Sequence, residues 1–168
     1  MRVHSAFAPQ VAAYHALSPA RDLATLRLQW GVLADLAGKV FRCGADAVDF
    51  EWAERGVELH ARYADAGFRR VSRYVIFTLG DEDGEVLFSD AHHVLRGWGR
   101  LAADGSIWFK DRVAATGCTE SGAIYTLTDG RFERQRFLTR DIETEMLRPA
   151  CYEPVQSHRG HRLSALSA

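Results

Sequence analysis

The sequence predicts an α+β domain in which one long N-terminal helix packs on a strongly curved antiparallel meander of about eight strands, with a short helix after it. The sheet either curves around the long helix or closes as a small barrel, which would remove its edges. Three observations lead there. From Asp46 to Arg140 the chain alternates apolar and polar residues almost without a break. Turn pairs punctuate the alternation at Arg55-Gly56, Asp83-Gly84, Asp104-Gly105 and Asp129-Gly130. Ahead of it, apolar residues recur at helical spacing.

Residues 1–18 form a lead-in with a short helical stretch at Gln10–Leu17. Ser18-Pro19 then supplies an N-cap and a proline at the first helical position. Asp22 falls in the first turn, where it complements the helix dipole. Leu23, Leu26, Trp30, Leu33, Ala37 and Val40 follow, and Leu28, Val32 and Leu36 widen the stripe. This pattern predicts a helix to about Arg42, stopped near Gly44.

The first hairpin has the clearest register. Val48, Phe50 and Trp52 alternate with Asp49 and Glu51, and after Arg55-Gly56 the alternation resumes through Tyr63. A two-residue turn pairs Trp52 with Leu59, Phe50 with Ala61 and Val48 with Tyr63. The opposite face then pairs Asp49 with Arg62 and Glu51 with His60. Phe68–Leu79 ends in a run apolar on both faces, Tyr74 to Leu79, which predicts an interior strand. It returns as Glu85–Ser89 through an acidic turn. That turn lacks the length and the late glutamate of a calcium loop.

His93–Leu101 and Ser106–Ala114 make the third hairpin. Ala103-Asp104-Gly105 fits a three-residue loop with glycine in the left-handed position. Leu95, Leu101, Ile107, Phe109 and Val113 then face the core with Gly97 and Gly99, and Asp111 is the misfit on that face. The fourth hairpin joins Gly122–Leu127 to Arg131–Thr139. A two-residue Asp129-Gly130 turn groups Tyr125 and Leu127 with Phe132, Arg134, Arg136 and Leu138. Asp141–Arg148 reads as a short helix stopped by Pro149. The single domain therefore spans 1–148, and 149–168 reads as a polar, mobile tail.

Composition narrows the function classes. The 168 residues are 47% apolar with a net charge of −1, so no global field favours nucleic acid. Arginine outnumbers lysine by 19 to two, so most cations here are suited to bidentate recognition and stacking. Cys43, Cys118 and Cys151 form no CxxC pair, and no apolar run reaches the length of a membrane span. A cytoplasmic protein without a membrane span is expected. Triad, P-loop, dinucleotide and zinc-protease motifs are absent, so no catalytic residue and no cofactor is nominated. Cys118 has no histidine predictably near it. Asp90, His92 and His93 form the one compact His/carboxylate cluster, but adjacent strand residues point to opposite faces and cannot chelate together. His158 and His161 lie in the tail. No metal is expected.

Two surfaces remain. The outward face of the third hairpin gathers Arg96, Trp98, Arg100, Trp108, Lys110 and Arg112, residue types enriched in binding hot spots. It predicts a non-catalytic protein-binding module of regulator, inhibitor or immunity type. Alternatively, covered rings and shielding arginine stems would make it structural. The second surface is internal: Arg134 and Arg136 run in phase with Phe132 and Leu138. With His92 they predict a pocket for a small anionic ligand, in a binding protein or an enzyme. The bland alternative is an internal ion-pair network.

Overall fold

A computed structural model describes residues 22–156. Among the described residues the fold is mostly β: ten antiparallel strands close into a barrel, and two short helices accompany them. The expected helix-on-sheet α+β architecture is thus corrected to a closed barrel. Helix α1 spans Leu23–Trp30 and α2 spans Val32–Leu36. The strands are β1 (Lys39–Cys43), β2 (Asp46–Glu54), β3 (Glu58–Asp65), β4 (Val71–Leu79), β5 (Glu85–Ser89), β6 (Leu95–Leu101), β7 (Ile107–Asp111), β8 (Glu120–Thr128), β9 (Arg131–Arg140), β10 (Glu143–Met146) and β11 (Ala150–Pro154). Neighbours pair in sequence order from β1 to β9, and β11 closes the ring between β9 and β1. The Gln10–Leu17 stretch, the Ser18-Pro19 start and the His158/His161 pair lie outside the described residues.

The long helix fails at two glycines. Gly31 has a φ of +48° and Gly38 a φ of +77°, values outside the right-handed helical region. Asp22 caps α1 instead, accepting from the Thr25 amide at 2.8 Å. Leu26, Trp30, Leu33 and Leu36 still share a stripe, but the stripe plugs the barrel end rather than lying along a sheet. The Val32 amide donates to the Gly105 carbonyl at 2.8 Å, and the Trp30 and Trp52 rings meet edge to face at 4.9 Å. The chain then enters β1, so the apolar Val40 belongs to a strand.

Gly31 is required by space as well as by φ. A Cβ there would lie 2.2 Å from Leu101 Cδ1 and 2.6 Å from the Gly105 carbonyl oxygen. Gly38 has open space around its Cβ position. Gly31→Ala is therefore expected to cost about 3 kcal/mol and Gly38→Ala only about 1 kcal/mol. Urea unfolding of both variants measures the gap; equal losses would show that the Leu101 and Gly105 contacts do not matter.

The hairpin registers follow the sequence closely. Trp52 pairs with Leu59, Phe50 with Ala61 and Val48 with Tyr63, with a bulge between Trp52 and Glu54. Trp98 pairs with Lys110 and Arg100 with Trp108. Thr128 pairs with Arg131 across a two-residue turn in which Asp129 and Gly130 both have positive φ. Ser106 donates from both its amide and its hydroxyl to Asp104, and these bonds hold the Asp104 carboxyl below its ordinary value. Val113 departs from expectation: it is exposed, past the end of β7.

The C-terminal part needs two corrections. Asp141, at a φ of +53°, turns the chain back so that Glu143–Met146 pairs with Arg140–Phe137 as a strand, not a helix. Residues 150–154, expected in the tail, form β11 and complete the barrel. One edge of β9 is consequently shared, its first half by β11 and its second half by β10. The interior below is aromatic: Phe132 meets Phe41, Phe50, Tyr125 and Tyr152 at centroid distances of 5.1–5.9 Å.

Candidate functional site

Successive turns of a meander barrel alternate between its two ends. The helices close the end that carries the 102–106 and 129–130 turns. At the opposite end lies a cavity of about 220 Å³. Val75, Phe77, Phe88 and Phe109 supply its apolar wall, and Arg73, Asp111, Tyr125, Arg134 and Arg136 its polar groups. Glycines on the facing strand help to leave this space open. A Cβ at Gly97 would lie 2.4 Å from the Phe88 ring, and one at Gly99 would lie 2.5 Å from the Phe109 ring. Both rings can thus lie against the wall. Ala123, between Phe109 and Arg136 in register, is small for the same purpose.

Arg134 enters this space because β9 alternates Phe132, Arg134 and Arg136 inward. Its Nε is buried and has no hydrogen-bond partner among the described residues. Its guanidinium carbon lies 5.7 Å from the Tyr63 ring centroid, and that of Arg73 lies at the same distance from the same ring. Two like charges therefore converge to within at most twice that distance. No ion pair of Arg73, Arg134 or Arg136 exists among the described residues. The Tyr63 hydroxyl hydrogen-bonds that of Tyr125 at 2.7 Å. Burial, with Tyr125 alongside, pushes the Tyr63 phenol well above its ordinary value despite the nearby arginines. Tyr63 is thus neutral at neutral pH and is no counter-ion. Asp111 is the one carboxylate lining the cavity.

Arg134 and Arg136 thus reach one cavity, as their phase on β9 predicts. His92 does not, which corrects its place in the pocket. It is exposed in the turn after β5, where its amide donates to Asp90 Oδ1 at 2.9 Å. The Asp90 side chain organises that turn, so His92 never lies on a strand face. Tyr63 and Tyr125 read in the sequence as ordinary apolar-face residues, and Arg73 belongs to no motif. The signal for Arg73 was its phase with Val75 and Phe77 along β4.

The outward face of β6 and β7 carries Arg96, Trp98, Arg100, Trp108, Lys110 and Arg112 together, in the expected register. Trp98 is 38% and Trp108 48% exposed, so neither ring is covered among the described residues. The cations are less free than the hairpin alone suggests. Arg96 pairs with Asp90 at 2.5 Å, Arg100 with Glu82, and Lys110 with Glu120 at 2.9 Å. Acids on neighbouring strands and turns neutralise three of the four cations. A row of paired residues, Leu87, Trp98, Lys110, Gly122, Phe137 and Met146, crosses this face.

Comparisons with protein-family models, curated proteins and solved structures give no match to this chain. Among the described residues, no group of three or more His, Cys, Asp or Glu side chains is placed to hold a metal ion. No helix among them is long and apolar enough to cross a membrane.

Proposed function

We propose that the protein binds a small organic anion inside the open end of the barrel. The observation that carries this reading is Arg134: a guanidinium with a buried, unpartnered Nε, drawn towards a second cation over one tyrosine ring. An unpaired interior charge is costly, and a carboxylate or phosphate between the arginines would offset that cost through bidentate hydrogen bonds. The cavity limits the ligand's size. An apolar cavity of about 150 Å³ holds benzene, so this one suits a single ring or short chain with a polar head. Calorimetric titration with a panel of one-ring organic acids, each beside its uncharged amide, tests the reading. At least one acid should bind while its amide does not. If no acid binds better than its amide, the reading fails.

A second reading, a regulator, inhibitor or immunity-type protein that docks a protein partner, is supported by one observation: the two exposed tryptophans on one outer face. The double variant Trp98→Ala, Trp108→Ala should then keep its melting temperature within about 2 °C while losing its partner in affinity capture from the native host. Unfolding of the variant would make the rings structural and exclude this reading.

A further inference from the structure

The cavity contains charge of both signs, and the signs do not meet. Arg73, Arg134 and Arg136 line it, and so does Asp111. Nevertheless, none of the arginines forms an ion pair with Asp111, which appears in no salt bridge among the described residues. Asp111 Oδ2 accepts from the Ser121 hydroxyl at 2.6 Å, and that hydroxyl accepts from the Ala115 amide at 2.9 Å. The carboxylate is therefore held in place on β7. Its Oδ1 takes no hydrogen bond among the described residues. β8 separates Asp111 from the arginines on β9, and Ala123 on β8 leaves open space between them. A site for an anion alone gains nothing from a carboxylate in its wall, which would repel the ligand. A site for a ligand with separated charges gains from both.

We infer that the ligand is a small zwitterion: its carboxylate meets Arg134 and Arg136, its ammonium meets Asp111 Oδ1, and its apolar body packs on Phe77, Phe88 and Phe109. This places it in the chemical class of amino acids with an apolar side chain. The inference rests on the anion-binding reading above and adds the cationic half.

Phenylalanine and 3-phenylpropanoate test it, because they share ring and carboxylate and differ in the ammonium. Calorimetric titration of the full chain at neutral pH should give phenylalanine at least about tenfold tighter binding than 3-phenylpropanoate, as expected for one charge-assisted hydrogen bond. Asp111→Asn, which keeps the shape and an acceptor for Ser121, should shrink that ratio to about two or less. A thermal melt of the variant establishes that it is folded. Equal or tighter binding of 3-phenylpropanoate overturns the zwitterion assignment and leaves anion binding standing. So does an unchanged ratio in folded Asp111→Asn, or binding by other acids of the panel but by neither of these two. Absence of binding by any acid overturns both. If Asp111→Asn does not fold, Asp111→Glu replaces it. That variant keeps the charge but moves it by a methylene, and a ratio unchanged from the wild type overturns the assignment.

Discussion

Arg134→Met is expected to abolish anion binding and to make the protein more stable. The two effects share a cause. Arg134 presents a cation to a largely apolar interior, with no acid paired to it and its Nε unpartnered. Methionine fills similar space and carries no charge to desolvate. Replacing buried charge with apolar groups is commonly neutral or stabilising. Because the cavity reaches the barrel mouth, water lowers part of the cost, and a gain of about 1 kcal/mol is the expected size. Urea unfolding measures the gain and calorimetry measures the loss of binding. Arg134→Lys separates charge from geometry: it keeps the cation but not the planar fork, so it should bind weakly. A loss of stability in Arg134→Met would mean that stacking on Tyr63 is structural, and the argument for a ligand would lose its foundation.

Phe132→Ala is expected to destabilise the protein by about 4 kcal/mol. Phe132 has no exposed surface and touches four rings contributed by β1, β2, β8 and β11. It therefore joins the first and last strands of the ring through one side chain. Removing it loses the burial of the ring and leaves a void among side chains that cannot readily collapse, because each is fixed on a different strand. At this chain length the melting temperature should fall by roughly 10 °C. Phe132→Leu, which retains most of the volume, should cost about 1.5 kcal/mol or less. Similar losses for the two variants would show that the site repacks and that the rings do not act as a unit.

Legibility in the sequence followed the range of the interactions. The third hairpin could be read because Asp104-Gly105 fixes the loop and the loop fixes every pair from Leu101–Ile107 to Trp98–Lys110. The fourth was fixed by Asp129-Gly130. In the first, three residues rather than two separate Glu54 from Glu58, and the bulge between Trp52 and Glu54 offsets the extra residue, so the expected pairs hold from Trp52 onward. The expected long helix fails for a physical reason. Leu33 and Leu36 point into the barrel from a helical plug, whereas Val40 lies on the outer face of β1 beside the inward Phe41, and its place in the helical spacing is a coincidence of the strand that follows. Gly31 and Gly38 were the counter-signal. In Asp141–Arg148, Ile142 and Met146 imitate helical spacing too, yet Ile142 is 95% exposed and the segment pairs with β9. The cavity was legible only in part. Phase along β9 put Arg134 and Arg136 inside, but Arg73 on β4 and Asp111 on β7 join them only once the ring closes. The acids that neutralise Arg96, Arg100 and Lys110 lie in other elements for the same reason.

The shared edge of β9 has a consequence for the order in which the molecule can be completed. β11 is the last strand of the ring to be synthesised, and it bonds to β1, among the first. Until it emerges, β1 and the first half of β9 each offer an unpaired edge to whatever strand is near. Meanwhile β2 to β9 can form a curved open sheet by local hairpin pairing, which carries little loop-closure cost. Ring closure spans more than a hundred residues and comes last. Partial chains ending before Ala150 should therefore associate with one another through these edges, and completion of the strand is what makes the molecule self-contained.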